Sequence, residues 1–225
     1  MDKKTIDYSI YLVTDSGCIG ERKLIDCVEA ALRGGVTVVQ YRSKDTDGGK
    51  MYAEALELKA LCDKYNVPLI INDRVDVALA VGAAGVHVGQ DDLPCKVVRQ
   101  LVADKPDFIV GVSSHNPEEA LQALADGADY LGCGAVFGSQ TKGNVSKLGL
   151  QNLQAIHKAL VAACKPEEAL PMVGIGGINA SNYEQVLATG ANGAAVVSGI
   201  LAAEDIEAEV KRFVAIRDKN NKLHN

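Results

Sequence analysis

The sequence has no excess of basic residues: 23 lysines and arginines stand against 29 aspartates and glutamates, a formal net charge of −6. This balance disfavours general binding to nucleic acid or to an anionic membrane, because such binding needs a basic face. An anionic ligand must therefore be held by a local cluster of cations or backbone amides. We expect small-molecule substrates and neither a nucleic-acid nor a membrane partner.

Motifs for zinc, secretion and membrane insertion are also missing. None of the six cysteines forms a Cys-x-x-Cys motif or a Cys/His pair at zinc spacing, so we expect reduced core thiols. The N-terminal segment MDKKTIDYS has charges but no apolar stretch after them, unlike a signal peptide. No apolar run approaches the roughly 18 residues that cross a bilayer. These absences predict a cytoplasmic protein.

Short apolar runs alternate along the whole chain with longer amphipathic segments. We count eight predicted strands, apolar on both faces, and eight predicted helices in strict alternation. Such βα units indicate a parallel sheet covered by helices. The pattern predicts an α/β fold with a single (β/α)8 TIM barrel over residues 1–225, of which 220–225 form a frayed tail.

A weak internal repeat favours a closed barrel over an open sheet. The segments AALRGGVTVV, ALAVGAAGVHV, ALADGADYLGC and VLATGANGAAVV each join a helix end through glycine to strand 2, 4, 6 or 8. A period of two βα units suits a closed barrel with fourfold pseudo-symmetry. Helix capping explains the glycines themselves but not their recurrence at every second junction.

Polar residues gather where the predicted strands end, which is where such barrels place their active sites. The segment VTVVQYRSK ends with Gln40, Arg42 and Lys44 on one face, because side chains two apart on a strand point the same way. Capping does not explain these cations, which are disfavoured near helix starts. The other strand ends carry Asn72 and Asp73, Asp91 and Asp92, Ser113, Ser114 and His115, and Ser139, Thr141 and Lys142.

Glycines follow the last two strands, in GIGGI and VVSG. Glycine lets backbone N–H groups approach a ligand closely, and N–H groups at a helix start bind phosphate. Many barrels hold a phosphate in the loops after strands 7 and 8. These turns therefore predict a monophosphate site, although a tight turn alone would also account for glycine.

The cations and carboxylates indicate a second, more highly charged anion with a metal. Asp73 and Asp92 follow adjacent strands and could share one Mg²⁺, which commonly takes one or two carboxylates plus phosphate oxygens. Alternatively, Asp73 pairs with Arg74 or Arg42, and Asp92 caps the helix that starts near Pro94. A diphosphate held by Mg²⁺, arginine and lysine is a stabilised leaving group, which suggests group transfer with loss of pyrophosphate.

Seven motifs, in chain order, resemble those of the thiamine phosphate synthase family: QYRSK, INDR, GVHVGQDDLP, GVSSH, SQTK, GIGGI and VVSGI. GIGGI alone is common among barrels, but the first three together are highly specific. The resemblance implies a transferase that joins 4-amino-5-hydroxymethyl-2-methylpyrimidine diphosphate to a carboxylated or decarboxylated thiazole phosphate. The products are thiamine phosphate and pyrophosphate, with Mg²⁺ as cofactor. The implied mechanism is dissociative: pyrophosphate leaves first, and the thiazole nitrogen captures a pyrimidine-methyl cation.

The same resemblance assigns roles to residues, motif by motif. Asp73 and Asp92 would bind Mg²⁺. Arg42, Lys44, Ser113 and Lys142 would assist catalysis. The residues implied to contact the pyrimidine diphosphate are Gln40, Tyr41, Arg42, Ser43, Lys44, Asn72, Ser113 and Lys142. Those implied to hold the thiazole phosphate are Ser139, Gln140, Thr141, Gly177, Val197 and Ser198.

The segment after strand 6 departs from the family pattern. The family usually has Pro-Thr-x-Thr-Lys, whereas this chain has Gly138, Ser139, Gln140, Thr141 and Lys142. Both hydroxyls and the lysine are kept, so hydrogen bonding can be kept too. Losing the fixed φ of proline should loosen the loop, which bears on loop closure and KM rather than on the reaction.

Three other functions fit part of the pattern. A thiazole tautomerase-like isomerase on the same barrel would need the phosphate site but not the metal carboxylates, and it could use His115 for proton transfer. A non-catalytic phosphate-ligand-binding paralogue has no reason to keep those carboxylates. A generic phosphate-binding isomerase would show no Mg²⁺-dependent pyrophosphate release.

We expect a homodimer, since dimers are the commonest assembly of soluble oligomers.

Overall fold

Eight parallel strands close into a barrel in sequence order, with β1 paired to β8. This strand order confirms the predicted closed α/β barrel. The computed structural model describes residues 3–44, 46–138, 149–165 and 169–224. The strands are β1 (Ile10–Val13), β2 (Val38–Tyr41), β3 (Leu69–Asn72), β4 (Gly85–Val88), β5 (Ile109–Ser114), β6 (Tyr130–Gly134), β7 (Met172–Ile175) and β8 (Gly193–Val196).

Helices surround the barrel, and one more is present than the sequence predicted. The extra helix is α8 (Ser198–Leu201), a single turn between β8 and the last helix. The last helix, α9 (Ile206–His224), includes residues 220–224, which we expected to be frayed. The described residues form α1 (Leu24–Gly34), α2 (Gly48–Lys64), α3 (Val75–Val81), α4 (Cys95–Leu101), α5 (Pro117–Ala125), α6 (Gly149–Ala163), α7 (Tyr183–Leu187), α8 (Ser198–Leu201) and α9 (Ile206–His224).

The four glycines of the internal repeat all adopt the left-handed conformation. Gly35, Gly82, Gly127 and Gly190 have φ values of 108°, 65°, 85° and 92°. The N–H of each donates to the carbonyl three residues earlier, which closes the preceding helix before the chain turns into β2, β4, β6 or β8. Both readings of the repeat therefore hold: the glycines are caps, and they recur at every second junction.

Alternate strand residues build two apolar layers. Outward-facing residues such as Leu12, Val39 and Ile71 pack against the helices. Inward-facing residues fill the barrel, and they include the rings of Tyr8, Tyr11 and Tyr130. These rings fit because small residues lie beside them: a Cβ on Gly111 would lie 2.2 Å from the Tyr130 ring.

All six cysteines are free, and four of them are buried. Burial raises the pKa of the Cys95 thiol to about 11 and that of the Cys62 and Cys133 thiols to about 12. These thiols are protonated at neutral pH and serve as small apolar side chains, in agreement with the expectation from the sequence. Among the described residues, no helix has the length and apolar character needed to span a membrane.

Removing the Tyr8 hydroxyl should stabilise the protein. This hydroxyl is buried and has no hydrogen-bond partner among the described residues, while its ring stacks on Tyr130 at 4.8 Å between centroids. An unsatisfied buried hydroxyl costs desolvation energy, so Tyr8→Phe should raise the free energy of unfolding by about 1 kcal/mol. Urea denaturation measures the change.

Tyr11→Phe is the matched control, because it removes a neighbouring buried hydroxyl that is bonded to Gln40 at 2.8 Å and to Tyr130 at 2.6 Å. It should lower the free energy of unfolding by about 1–3 kcal/mol. Equal losses in the two variants would mean that the Tyr8 hydroxyl has a hydrogen-bond partner after all.

Candidate active site

A cavity of about 300 Å³ opens at the carboxyl ends of the strands. Because every strand of a closed parallel barrel ends at the same rim, residues far apart in sequence meet there. Arg42, after β2, and the Gly176–Gly177 turn, after β7, line this one cavity. Of the residues predicted for the site, those in the lining are Gln40, Arg42, Ser113, Gly177, Val197 and Ser198.

Other predicted residues lie at the strand ends without being part of the described lining. Asn72 ends β3, and Asp73 follows it directly. Asp92 lies in the loop after β4, and Lys44 is exposed after β2. Ser139, Gln140, Thr141 and Lys142 fall outside the described residues. Their predicted contacts with the two substrates therefore remain predictions.

Two residues of the QYRSK segment point away from the cavity. The Tyr41 side chain is fully buried in the layer between barrel and helices, and its hydroxyl donates to Glu54 of α2. The Ser43 hydroxyl is bonded to Thr46 at 2.5 Å. Membership of the motif suggested a substrate contact for both. Strand alternation turns the Tyr41 side chain to the other face of β2, and Ser43, which follows the end of β2, is not part of the described lining.

Arg42 is held at the cavity wall from two sides. One guanidinium nitrogen, Nη1, lies 3.6 Å from Oδ2 of Asp15, and the Arg42 side chain is only 10% exposed. Its backbone N–H donates to the Thr14 hydroxyl at 2.9 Å. Arg42 therefore presents to the cavity a positive charge that is positioned by Asp15 and Thr14. Asp15 was not among the partners considered for Arg42 from the sequence, and the Arg74 guanidinium contacts Asp76.

A chain of hydrogen bonds crosses the floor of the cavity. Gln40 Nε2 donates to the Tyr11 hydroxyl at 2.8 Å, and that hydroxyl lies 2.6 Å from the Tyr130 hydroxyl. Tyr130 is 2.9 Å from His87 Nδ1, and His87 Nε2 is 3.0 Å from the Ser113 hydroxyl. Five strands contribute to this polar chain, which links two predicted site residues, Gln40 and Ser113, through three that the sequence analysis did not assign.

The Gln40 amide fixes one end of the polar chain, because its Nε2 can only donate. We propose that Tyr11 then donates to Tyr130, that Tyr130 donates to His87 Nδ1, and that His87 donates from Nε2 to Ser113. Burial raises the pKa of both Tyr11 and Tyr130 well above the ordinary tyrosine value, so both stay protonated. The Ser113 hydroxyl proton remains available to a ligand in the cavity.

His115 also lines the cavity, although the sequence analysis considered it only for an isomerase. Its Nδ1 lies 2.9 Å from Oε2 of Glu119 in the first turn of α5. The other Glu119 oxygen accepts from the Asn116 side chain at 2.8 Å, and Asn116 caps α5 in return. The start of α5 therefore fixes the orientation of the His115 imidazole.

The glycine turn after β7 and the start of α8 lie beside each other. Gly176 and Gly177 have φ values of 103° and 66°, which favour glycine over other residues. Gly199, in α8, would meet the Ile178 carbonyl at 2.4 Å if it carried a Cβ. The segment after β7 and the start of α8 are therefore in contact, and Gly176, Gly177 and Ser198 line the same cavity.

Gly138 marks the departure from the family pattern. It lines the cavity and has a φ of 83°, a conformation that proline cannot adopt because its ring fixes φ near −65°. The chain therefore leaves β6 along a path that a proline at this position would not allow. The looser loop that we expected concerns residues 139–148, which lie outside the described residues.

The carboxylates fit a metal that is completed by its substrate rather than a site made by protein alone. Asp73 and Asp92 follow the paired strands β3 and β4, and Asp92 Oδ2 accepts from the Gly89 N–H at 2.7 Å. Asp92 does not cap α4, whose first flanking residue is Pro94. Among the described residues, no group of three or more His, Cys, Asp or Glu could hold a metal. Two carboxylates are what Mg²⁺ typically takes from a protein when substrate phosphates supply further oxygens.

The fold is that of the (β/α)8-barrel class, with a cavity at the carboxyl mouth, where such barrels hold their active sites. A family model described as thiamine monophosphate synthase matches residues 10–200. The chain therefore belongs to the thiamine monophosphate synthase family, as its motifs predicted.

Similar proteins agree with this assignment over nearly the whole chain. The thiamine-phosphate synthase of Ruminiclostridium cellulolyticum is 45% identical and covers 95% of this chain and 97% of its own. That of Chloroflexus aurantiacus is 47% identical and covers 94% of this chain and 93% of its own. The solved structure of thiamine phosphate pyrophosphorylase from Pyrococcus furiosus is 36% identical, covers 95% of this chain and 97% of its own, and has a TM-score of 0.83.

Tyr130→Phe tests the polar chain at its centre. The variant deprives Tyr11 of an acceptor and His87 of a donor, so the free energy of unfolding should fall by about 1–3 kcal/mol. The His87 imidazole should also lose its preference for a proton on Nε2, because Nδ1 no longer accepts a hydrogen bond. Imidazole ¹⁵N chemical shifts measure this preference.

Tyr183→Phe is the matched control. It removes a buried tyrosine hydroxyl bonded to the Ser9 carbonyl at 2.7 Å, away from the cavity lining. It should cost similar stability while leaving the His87 signals unchanged. An unaltered His87 tautomer in Tyr130→Phe would contradict the proposed direction of the polar chain.

Proposed function

We propose that this chain couples the aminopyrimidine diphosphate to thiazole phosphate, giving thiamine phosphate and pyrophosphate. The observation that carries the proposal is that Arg42 and the Gly176–Gly177 turn line one cavity of about 300 Å³. One cation and one glycine-rich backbone turn at the same mouth suit two different phosphorylated substrates. Family membership supports the substrates, and the names of the relatives support the reaction.

In the proposed reaction, the bond between the pyrimidine methylene carbon and the diphosphate oxygen breaks first. Its electron pair leaves with the diphosphate, and the thiazole nitrogen then supplies the pair for the new carbon–nitrogen bond. Such a step depends on stabilising the leaving group more than on a strong base. Arg42 and Lys44 would bind the diphosphate, and Ser113 would donate its hydroxyl proton to it. The corresponding role of Lys142 is carried over from the family motif.

Asp73 and Asp92 would hold Mg²⁺, with Asn72 near them. When bound, Mg²⁺ would supply positive charge to the diphosphate oxygens as the bond breaks. On the other side, Gly177, Val197 and Ser198 would bind the thiazole phosphate through backbone N–H groups and the serine hydroxyl. The motif residues Ser139, Gln140 and Thr141 would complete that half of the site.

The tautomerase-like isomerase is the nearest alternative. The His115–Glu119 pair in the cavity is the kind of oriented imidazole that proton transfer requires. Against it, Arg42, Asp73 and Asp92 have no task in an isomerisation, and the similar proteins described above are named as synthases or pyrophosphorylases.

The cytoplasmic location and the homodimer remain proposals, and sedimentation of the purified protein would test the homodimer.

A pyrophosphate-release assay tests the proposed function. With both substrates and Mg²⁺, pyrophosphate and thiamine phosphate should appear in equal amounts. Omitting the thiazole phosphate or chelating the metal should abolish thiamine phosphate formation. Conversion of the thiazole phosphate alone, without pyrophosphate release, would favour the isomerase instead.

Asp92→Asn should reduce the response of turnover to Mg²⁺. The amide oxygen can still accept the Gly89 N–H, so the loop is kept while the charge is lost. Removing one of two carboxylate ligands should raise the Mg²⁺ concentration for half-maximal pyrophosphate release by about tenfold or more. Asp91→Asn is the control, because it removes the neighbouring exposed carboxylate. An identical Mg²⁺ response in Asp92→Asn and wild type would refute the metal assignment.

Arg42→Gln should weaken the pyrimidine diphosphate far more than the thiazole phosphate. Loss of a charge-assisted hydrogen bond corresponds to about a 10–100-fold rise in KM for the diphosphate substrate. The KM for thiazole phosphate should change by less than about threefold. Steady-state kinetics with each substrate varied in turn measures both.

Arg74→Gln provides the comparison, since Arg74 follows Asp73 in sequence but its exposed guanidinium contacts Asp76. It should change either KM by less than about twofold. If Arg42→Gln raised the two KM values equally, the assignment of Arg42 to the diphosphate half of the site would be wrong.

A further inference from the structure

Arg22 binds the end of α8 although it lies in the loop between β1 and α1. Its Nη2 donates to the Leu201 carbonyl at 2.5 Å, and its Nη1 donates to the Ala203 carbonyl at 2.9 Å. Its Nε donates to the Ile19 carbonyl of its own loop at 3.0 Å. One guanidinium therefore connects the loop after β1 to the segment that follows β8.

The helix that Arg22 binds has little stability of its own. Helix α8 has four residues, fewer than an isolated helix needs in water. The last carbonyls of any helix lack partners within it, and Arg22 supplies two donors to carbonyls at this end. A cation at the carboxyl end of a helix also interacts favourably with the helix dipole. Arg22 thus stabilises α8 from the end opposite to Ser198.

Packing and Arg22 together fix the position of α8. Ile200 and Leu201 are fully buried, and Gly199 lies against the backbone of the segment after β7. The first residue, Ser198, lines the cavity together with Val197. A shift of α8 along its axis would therefore move Ser198 relative to Gly177.

The same loop reaches the other half of the site. Asp15 contacts Arg42 at 3.6 Å and also accepts from the Gly17 N–H at 2.9 Å. Cys18 lines the cavity, and Ile19 is buried in the core. The loop between β1 and α1 is thus anchored at its centre, with Asp15 at one end and Arg22 at the other.

We infer that Arg22 is a positioning residue for the thiazole phosphate half of the site. It acts through α8, by fixing Val197 and Ser198 relative to the Gly176–Gly177 turn. It does not act on the diphosphate half, where Asp15 makes the corresponding contact with Arg42. This inference rests on the proposed function for the identity of the ligand, but the brace between Arg22 and α8 does not.

Arg22→Gln tests the inference. The KM for thiazole phosphate should rise by about tenfold, since a neutral amide cannot bridge the same carbonyls with charged donors. The KM for the pyrimidine diphosphate should stay within about twofold of wild type. Arg22→Lys keeps the charge and part of the hydrogen bonding, so it should restore part of the loss. The variant should fold, because Arg22 is exposed at the surface.

Arg33→Gln is the matched control. Arg33, on α1, bonds to Glu207 of α9 at 2.9 Å, so its loss removes another arginine contact to the C-terminal part of the chain without touching α8. It leaves the α8 carbonyls alone and should change neither KM. A rise of both KM values in Arg22→Gln, or a rise equal to that in Arg33→Gln, would overturn the inference.

Hydrogen exchange of the unliganded protein separates this inference from the proposed function. In Arg22→Gln, the amides of residues 200–203 should exchange faster than in wild type, whereas Arg33→Gln should leave them unchanged. Unchanged exchange in Arg22→Gln would show that α8 does not depend on Arg22. If exchange is faster in Arg22→Gln but the wild-type enzyme releases no pyrophosphate from the two substrates, only the proposed function is overturned.

Discussion

The closure of eight parallel strands into one ring is the constraint on which the site depends. Hydrogen bonding between β1 and β8 brings the last strands beside the first, so that residues after β2 and residues after β7 and β8 share one rim. Arg42 and Gly177 could not line a common cavity in an open sheet of the same strand order. The parallel direction matters equally, because it places every carboxyl end on one side. The pairing of the strands therefore determines which side chains meet in the cavity.

The inside of the barrel shows how a polar floor can be built within an apolar core. A buried hydroxyl or imidazole is costly unless each polar atom finds a partner. Tyr11, Tyr130 and His87 solve this by bonding to one another in a chain that ends at Gln40 and Ser113. Large rings need space, which Gly111 of β5 provides beside Tyr130 and Gly132 of β6 provides beside His87. The same contacts that fill the barrel thus orient two residues of the cavity, so the fold and the site share their stabilising interactions.

Local patterns were enough to predict the barrel and part of the site. The alternation of short apolar runs with amphipathic segments predicted the strands. The period of two along a strand predicted that Gln40 and Arg42 point to the same face, which is the cavity side. That same period should have turned Tyr41 away, but its place in a family motif suggested a contact instead. The Tyr11–Tyr130–His87 chain and the Arg22–α8 contact could not be predicted, because they join segments far apart in sequence through side-chain geometry. Helix α8 was missed for a related reason: four residues carry no periodic pattern, and their helical form depends on tertiary packing.

Uncharged groups form the floor of the cavity, and the charged residues lie at the strand ends. This arrangement has a consequence for the proposed reaction. The floor consists of protonated tyrosines, the Gln40 amide and the His87 imidazole, whereas Arg42, Lys44, Asp73 and Asp92 belong to the strand ends. Unpaired charges are too costly at the floor, so burial itself imposes the arrangement. In the proposed reaction, the uncharged pyrimidine ring suits the floor and its diphosphate suits the rim. The breaking bond would then lie at the boundary between the two layers. Negative charge would develop toward the cations while the carbon left behind faces polar but neutral groups, which is the distribution that a dissociative step requires.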